Sequence, residues 1–316
     1  MMMAPTTVTA GSRPPLRLSY AGCPPLGQDR GKTTILNAPW LAGRAVDELF
    51  ARSNAGGESN GFATYEAGGL LFGYGQASLE GGRLAAAARD LYLRMFLATR
   101  GLHVYRIWNY VPRINQVEVD LENYRAFCQG RSLAFEEAFG TEFARELSAA
   151  SAVGCGGNAV QLVFAAGLSR GRHFENPAQV PAYRYPTEHG PRSPSFARAT
   201  VASGDGRRYV FVSGTAAIKG HMTIAPGDII GQIDCTLDNL RLISREVGVG
   251  DRLGADEGWE RHFKVYLRRP RDLTYARMRL EPDWIRVEDK ATYLHADICR
   301  SALHIEIEAT LVKPLR

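Results

Sequence analysis

The chain has 316 residues, enough for one large domain or two of about 150. An apolar share of 45% excludes a disordered polymer. The net charge of +5 comes mostly from scattered arginines rather than one basic tract, which weighs against nucleic acid and towards a small anionic ligand.

Residues 1–40 are turn-rich: Pro14-Pro15, Cys23-Pro24-Pro25 and Asp29 to Lys32 interrupt them, and one short strand is expected at Leu16–Tyr20. Residues 52–61, with Gly56-Gly57 and Gly61, read as loop, so residues 1–60 are expected to form an irregular N-terminal segment. The start, Met1-Met2-Met3-Ala4-Pro5, carries no long apolar stretch, and no run approaches about 18 apolar residues. A soluble, cytoplasmic protein with no membrane partner is expected.

The first clear unit, residues 61–170, opens on a strand at Leu70–Tyr74. A helix follows from about Ser78 to Thr99, with Leu84, Ala88, Leu91 and Met95 on one stripe and Gly101 ending it. His103–Trp108 is β-rich. Asp120 is placed to cap a second helix from Leu121 to about Phe139, and Val160–Ala166 closes the unit as a strand. Residues 207–316 repeat the order. Tyr209–Ser213 is a strand, and Pro226-Gly227-Asp228 starts a long helix with Ile229, Ile233, Leu237, Leu240, Ser244 and Val247 on one stripe. Phe263, Val265 and Leu267 alternate as a strand, a helix spans about Asp272–Leu280, and Thr292–Ile298 and Leu303–Leu311 are the last strands. The pattern predicts an α+β fold of two tandem units, with mixed sheets and helices on one face.

Between the units lies a Pro/Tyr/Arg-rich segment, residues 171–206. It contains Pro181-Ala182-Tyr183-Arg184-Tyr185-Pro186 and Gly190-Pro191-Arg192-Ser193-Pro194-Ser195-Phe196-Ala197-Arg198. Prolines stiffen the backbone there, and Tyr hydroxyls with Arg forks suit a planar carboxylate. A surface loop covered by Tyr rings is the alternative.

The last strand alternates. Ile305, Ile307, Ala309 and Leu311 face one side, and His304, Glu306, Glu308 and Thr310 the other. Spacing alone favours an ordinary strand with a solvated polar face. The alternative places Glu306 in a cleft, protonated by desolvation, as a general acid. Ser213-Gly214-Thr215-Ala216-Ala217 ends a strand with small residues, which permits close approach of a ligand or simply tight packing. Cys23, Cys128, Cys155, Cys235 and Cys299 are widely spaced with no C-x-x-C, and the histidines form no H-x-H or H-x-x-x-H pair. A disulfide framework, a zinc site and metal dependence are therefore not expected. Nucleotide-binding and serine-hydrolase motifs do not occur.

The stretches His103–Asn115, Asn123–Arg131, Pro181–Pro186, Gly190–Ala199 and Val212–Ala216, followed by a Glu on the last strand, resemble the chorismatase family in their order across about residues 100–310. The resemblance implies two RidA-like units, chorismate as substrate, pyruvate as co-product, and neither metal nor organic cofactor. It implies that Glu306 protonates the methylene carbon of the enolpyruvyl ether. Within the family, a Cys shortly before that Glu goes with internal displacement through an arene-oxide-like species to 3-hydroxybenzoate; Cys299 matches it. Attack by water instead gives a dihydroxycyclohexadienoate. Subgroups also differ at a small residue after Ser-Gly-Thr, where Ala216 or Ala217 stands in place of the Gly expected beside such a Cys. By motif membership, Arg113, Arg192 and Arg198 are the carboxylate-binding candidates, with Tyr185 as hydrogen-bond partner and Thr215, Ala216 and Ala217 beside the substrate. A non-catalytic module that binds small acids and an imine-hydrolysing enzyme are the alternatives of other classes. The chain is expected as a monomer with an internal pseudo-repeat or as a homo-oligomer.

Overall fold

The structure is a computed structural model that describes residues 17–22, 33–47, 56–79, 83–118, 120–281 and 283–315. It opens on two strands, β1 (Arg17–Ala21) and β2 (Thr33–Gly43). An irregular segment was expected here, and β2 corrects that. The sequence disguises β2 because Pro39 interrupts it. The proline falls opposite Ala21, where the parallel β1–β2 register shifts. Leu36 and Ala38 are fully buried. The turns expected at Pro14-Pro15, Cys23-Pro24-Pro25 and Asp29 to Lys32 lie outside the described residues.

The first unit runs β3 (Gly57–Ser59), β4 (Phe62–Ala67), β5 (Leu70–Ser78), α1 (Leu84–Ala98) and β6 (His103–Pro112). A small hairpin follows, β7 (Val117–Glu118) and β8 (Leu121–Glu122), then α2 (Asn123–Phe139), β9 (Ala149–Cys155) and β10 (Ala159–Gly167). The predicted stripe of Leu84, Ala88, Leu91 and Met95 is the buried face of α1. Asp120 does not cap α2. It has a positive φ of 69° in the hairpin turn, and the hairpin delays the helix to Asn123. Sequence patterning missed β9. Its run of Ala, Ser and Gly has little strand propensity, and it forms because β6 pairs with it in parallel across the α2 crossover.

The second unit runs β11 (Arg172–Phe174), β12 (Ala199–Gly204), β13 (Arg207–Thr215), the hairpin β14 (Ile218–Lys219) and β15 (Met222–Thr223), and α3 (Ile229–Glu246). Then come β16 (Glu260–Leu267), α4 (Leu273–Leu280), β17 (Lys290–His295) and β18 (Ile305–Pro314). Asp228 caps α3 by accepting a 3.0 Å hydrogen bond from the Ile230 amide.

The first sheet has the order β3-β4-β5-β10-β6-β9 and the second β1-β2-β17-β16-β18-β13-β12-β11. Matching β4, β5, β6, β9 and β10 to β12, β13, β16, β17 and β18 in turn gives the same spatial order in both sheets. The tandem pattern of the sequence is thus a repeated topology, extended at one edge of the second sheet by β1 and β2.

Helices α1 and α2 cover one face of the first sheet, and α3 and α4 one face of the second. The two remaining faces stack on each other. Tyr65, Trp108 and Val163 of the first meet Tyr209, Phe211 and Tyr266 of the second. This stacking decides the fate of β18. Ile305, Ile307, Ala309 and Leu311 face the α3–α4 core as expected, but the polar face is not solvated. Glu306, Glu308 and Thr310 point between the sheets and are buried.

Candidate active site

A cavity of about 380 Å³ opens where α2 and β9 of the first unit meet β13 and β18 of the second, beneath residues 185–198. That volume suits a small ligand.

Glu306 is at its floor. The side chain is 3% exposed, and Oε1 has no hydrogen-bond partner. Burial first, and then the negative charge of Glu308, push its carboxyl up to about 8, against the opposing pull of Arg106 and Arg198. Near neutral pH this carboxyl carries its proton. Its room comes from Gly214. The β13–β18 register slips between Val212 and Thr215, and a Cβ at Gly214 would overlap Glu306 Oε1.

Glu308 lives in the opposite environment. It accepts from Arg106 Nη2 at 2.6 Å, Trp108 Nε1 at 2.6 Å and Ser151 Oγ at 2.7 Å, and Lys264 Nζ is 3.2 Å away. Those donors and cations satisfy the oxygens of this buried carboxylate.

The walls are cationic. Arg198 is buried. Its Nη2 donates to the Tyr185 hydroxyl at 2.9 Å, its guanidinium lies over Phe196, and its Nε, without a hydrogen bond, faces Glu175 Oε2 at 3.9 Å. Arg131 of α2 is 2% exposed. It donates to the Ser195 carbonyl, while its Nε has no hydrogen-bond partner. Arg300 donates to the His221 carbonyl at 2.7 Å and lies over the Tyr185 ring. The Arg131 Nε–H, buried without an acceptor, and the cationic wall around it favour an anionic guest. Cys299 is half-buried beside Glu306. Burial first, and then the Glu306 charge, push its thiol up to about 12, so it is neutral and not a thiolate nucleophile.

Of the residues singled out in the sequence, Glu306, Cys299, Tyr185, Arg198 and Ala216 line this cavity. Four others do not. Arg113 has a positive φ of 50° after β6 and pairs with Glu118 at 2.8 Å on the surface. Arg192 turns to Glu136 and Ser132 of α2. The Thr215 hydroxyl bonds the Ser213 carbonyl at 2.9 Å, and Ala217 packs in the core between the sheets. Motif membership locates a backbone but not the direction of a side chain. The sequence reading missed the roles of Arg131 and Arg300 as cavity cations, and took Gly214 only as one of a run of small residues. Arg131 had a visible signal: it shares an i, i+4, i+8 stripe with the buried Phe127 and Phe135.

Among the described residues, one group of His and acidic side chains is compact enough to share a metal ion: Glu188, His189 and His221. Glu188 and His189 also line the cavity, and Glu188 is exposed to solvent.

Fold and cavity together define a class: a two-unit α+β protein whose cavity can hold a small anion against a protonated carboxylic acid. The chain belongs to the chorismatase family. The family model described as "Chorismatase FkbO/Hyg5-like, N-terminal" matches residues 49–166. A Streptomyces hygroscopicus protein named chorismatase is 38% identical over 281 residues, covering 85% of this chain and 77% of its own. A second S. hygroscopicus protein, named 3-hydroxybenzoate synthase, is 37% identical over 81% of this chain and 78% of its own. A chorismatase crystal structure at 1.08 Å resolution superposes with a TM-score of 0.78 at 31% identity, covering 97% of this chain and 96% of that one.

Proposed function

We propose that the cavity binds chorismate and cleaves its enolpyruvyl ether, giving pyruvate and 3-hydroxybenzoate. The observation that carries the reading is the protonated Glu306 carboxyl, which lacks a hydrogen-bond partner at Oε1 and faces a cavity walled by arginines. Relatives named chorismatase and 3-hydroxybenzoate synthase supply the substrate and product class.

Chorismate carries two carboxylates, and Arg131, Arg198 and Arg300 offer the cations to hold them. Glu306 gives its proton to the side-chain methylene carbon. The ether carbon becomes oxocarbenium-like, and the ring C–O bond weakens. The neighbouring ring hydroxyl then attacks the carbon bearing the ether. That C–O bond breaks, its electrons complete the keto group of pyruvate, and the hydroxyl proton returns to the Glu306 carboxylate. The arene-oxide-like ring opens and loses a carbon-bound proton to become 3-hydroxybenzoate. The balance consumes no water. Cys299, as a neutral thiol beside Glu306, shapes the floor without carrying charge.

The test is incubation of purified protein with chorismate, with pyruvate followed by a coupled dehydrogenase and the ring product identified by chromatography and mass. Pyruvate at no more than the spontaneous rate sinks the proposal. A diene diol as ring product would instead assign hydrolysis. In heavy-oxygen water the internal route leaves the ring product unlabelled.

A further inference from the structure

Three side chains that the proposed chemistry does not use meet at the cavity's rim. His189 ends a single 3-10 turn, Thr187–His189, that follows Pro186. His221 lies in the turn of the β14–β15 hairpin. His189 Nε2 and His221 Nδ1 are 3.0 Å apart, and each is 3.4 Å from Glu188 Oε1. The hairpin is anchored. Val180 N donates to the Gly220 carbonyl at 3.0 Å, Gly220 N donates to the Ala178 carbonyl at 2.8 Å, and Arg300 holds the His221 carbonyl.

A triangle with those sides encloses a point about 2 Å from all three atoms, which is the length of a zinc–imidazole or zinc–carboxylate bond. In a tetrahedral site, ligand atoms stand roughly 3.3 Å from one another, close to the separations seen. Two imidazoles and one carboxylate suit zinc, cobalt or nickel, whereas magnesium and calcium require a shell of oxygens. Arg300 and Arg125 oppose a cation here, and Glu188 offsets one positive charge. The Glu188 side chain is 61% exposed and His221 32%, so an ion can reach all three donors from solvent.

We propose that Glu188, His189 and His221 bind one zinc-class divalent cation at the mouth of the cavity. Such an ion leaves its fourth position open to water. Because Glu188 and His189 line the cavity, it also narrows the rim, and zinc slows turnover. This last consequence rests on the proposed chorismate activity; the binding does not.

The test uses the full chain, stripped with chelator and titrated with cobalt(II) chloride. The visible absorption of tetrahedral cobalt is followed and then displaced by zinc chloride. One saturable equivalent is expected. Outer-shell changes at metal sites cost about 10–100-fold in affinity, so losing an imidazole in His189→Ala or His221→Ala lowers affinity by more than about a hundredfold. Glu188→Gln weakens it by about tenfold or more. Circular dichroism checks the fold of each variant, and His221→Asn provides a second probe that preserves polarity. Absence of one-equivalent binding overturns the proposal. So does unchanged binding in the folded His variants, which would assign the ion to thiols elsewhere. A wild type that binds cobalt yet releases no pyruvate from chorismate sinks the functional reading and leaves this site standing.

Discussion

Glu306 and Glu308 are two residues apart on β18, point the same way between the sheets, and are equally buried at 3% exposure, yet their surroundings differ in kind. Glu308 has Arg106, Lys264, Trp108 and Ser151 around its oxygens. Glu306 has an unpartnered Oε1 and a glycine beside it. Two neighbouring carboxylates in a dry space do not both ionise unless both are paired. The cations collected on Glu308 leave Glu306 as the one that keeps its proton.

Glu306→Gln preserves the shape and removes the transferable proton. Pyruvate release should fall by at least about 10²–10⁴-fold, the range of general acid catalysis, with the circular dichroism spectrum unchanged. Turnover within tenfold of wild type would remove Glu306 from its role.

The raised Glu306 carboxyl fixes the sign of two pH effects. As a proton donor it works below about 8, so kcat/KM should fall tenfold per pH unit above that value. For stability, the folded state binds this proton more tightly than the unfolded chain, whose carboxyl titrates near the ordinary 4.5. Its stabilising contribution is full below about 4.5 and is lost as pH rises to about 8. Denaturant titrations from pH 5 to 9 should therefore show Glu306→Gln gaining on wild type by a few kcal/mol, at roughly 1.4 kcal/mol per pKa unit. Parallel curves would contradict the shift.

Arg106→Met leaves Glu308 buried with one fewer partner. Breaking a buried ion pair from one side costs about 3–5 kcal/mol, so a large loss in urea stability is expected. Adding Glu308→Gln should recover much of it. Arg106 also draws the Glu306 pKa down, so in the single variant the alkaline limb of kcat/KM should move upward.

Gly214→Ala places a methyl group into the space of the Glu306 carboxyl. Overpacking of this kind costs about 1–3 kcal/mol. Activity should fall further than stability does, because the displaced group is the proton donor. A crystal structure of the variant with Glu306 unmoved would refute this account.

Cys299→Ala probes the product fork. The neutral thiol beside Glu306 occupies floor space that water fills in the variant, so product should shift from 3-hydroxybenzoate towards the diene diol. An unchanged ratio by chromatography would show that Cys299 does not steer the outcome.

Strand and helix periodicity determined much of this protein. The stripes of α1 and α3, the start of α3 after Pro226-Gly227-Asp228 and the alternation of β18 are all legible because they depend on neighbours within one element. The tandem order of elements was legible for the same reason. β2 and β9 were not, since a strand with a central proline and one of small residues form only when partners from distant sequence supply their hydrogen bonds. Tertiary structure alone decided which polar groups lie together. It stacked the two sheets, which turned the polar face of β18 from a solvated surface into the floor of a cavity. It left Arg113 and Arg192 outside that cavity and brought Arg131 and Arg300 into it. It also joined His189 to His221, 32 residues apart, where local spacing showed no metal-ligand pair. Periodicity records which face a residue is on; only the packing of one unit against another determines what that face meets.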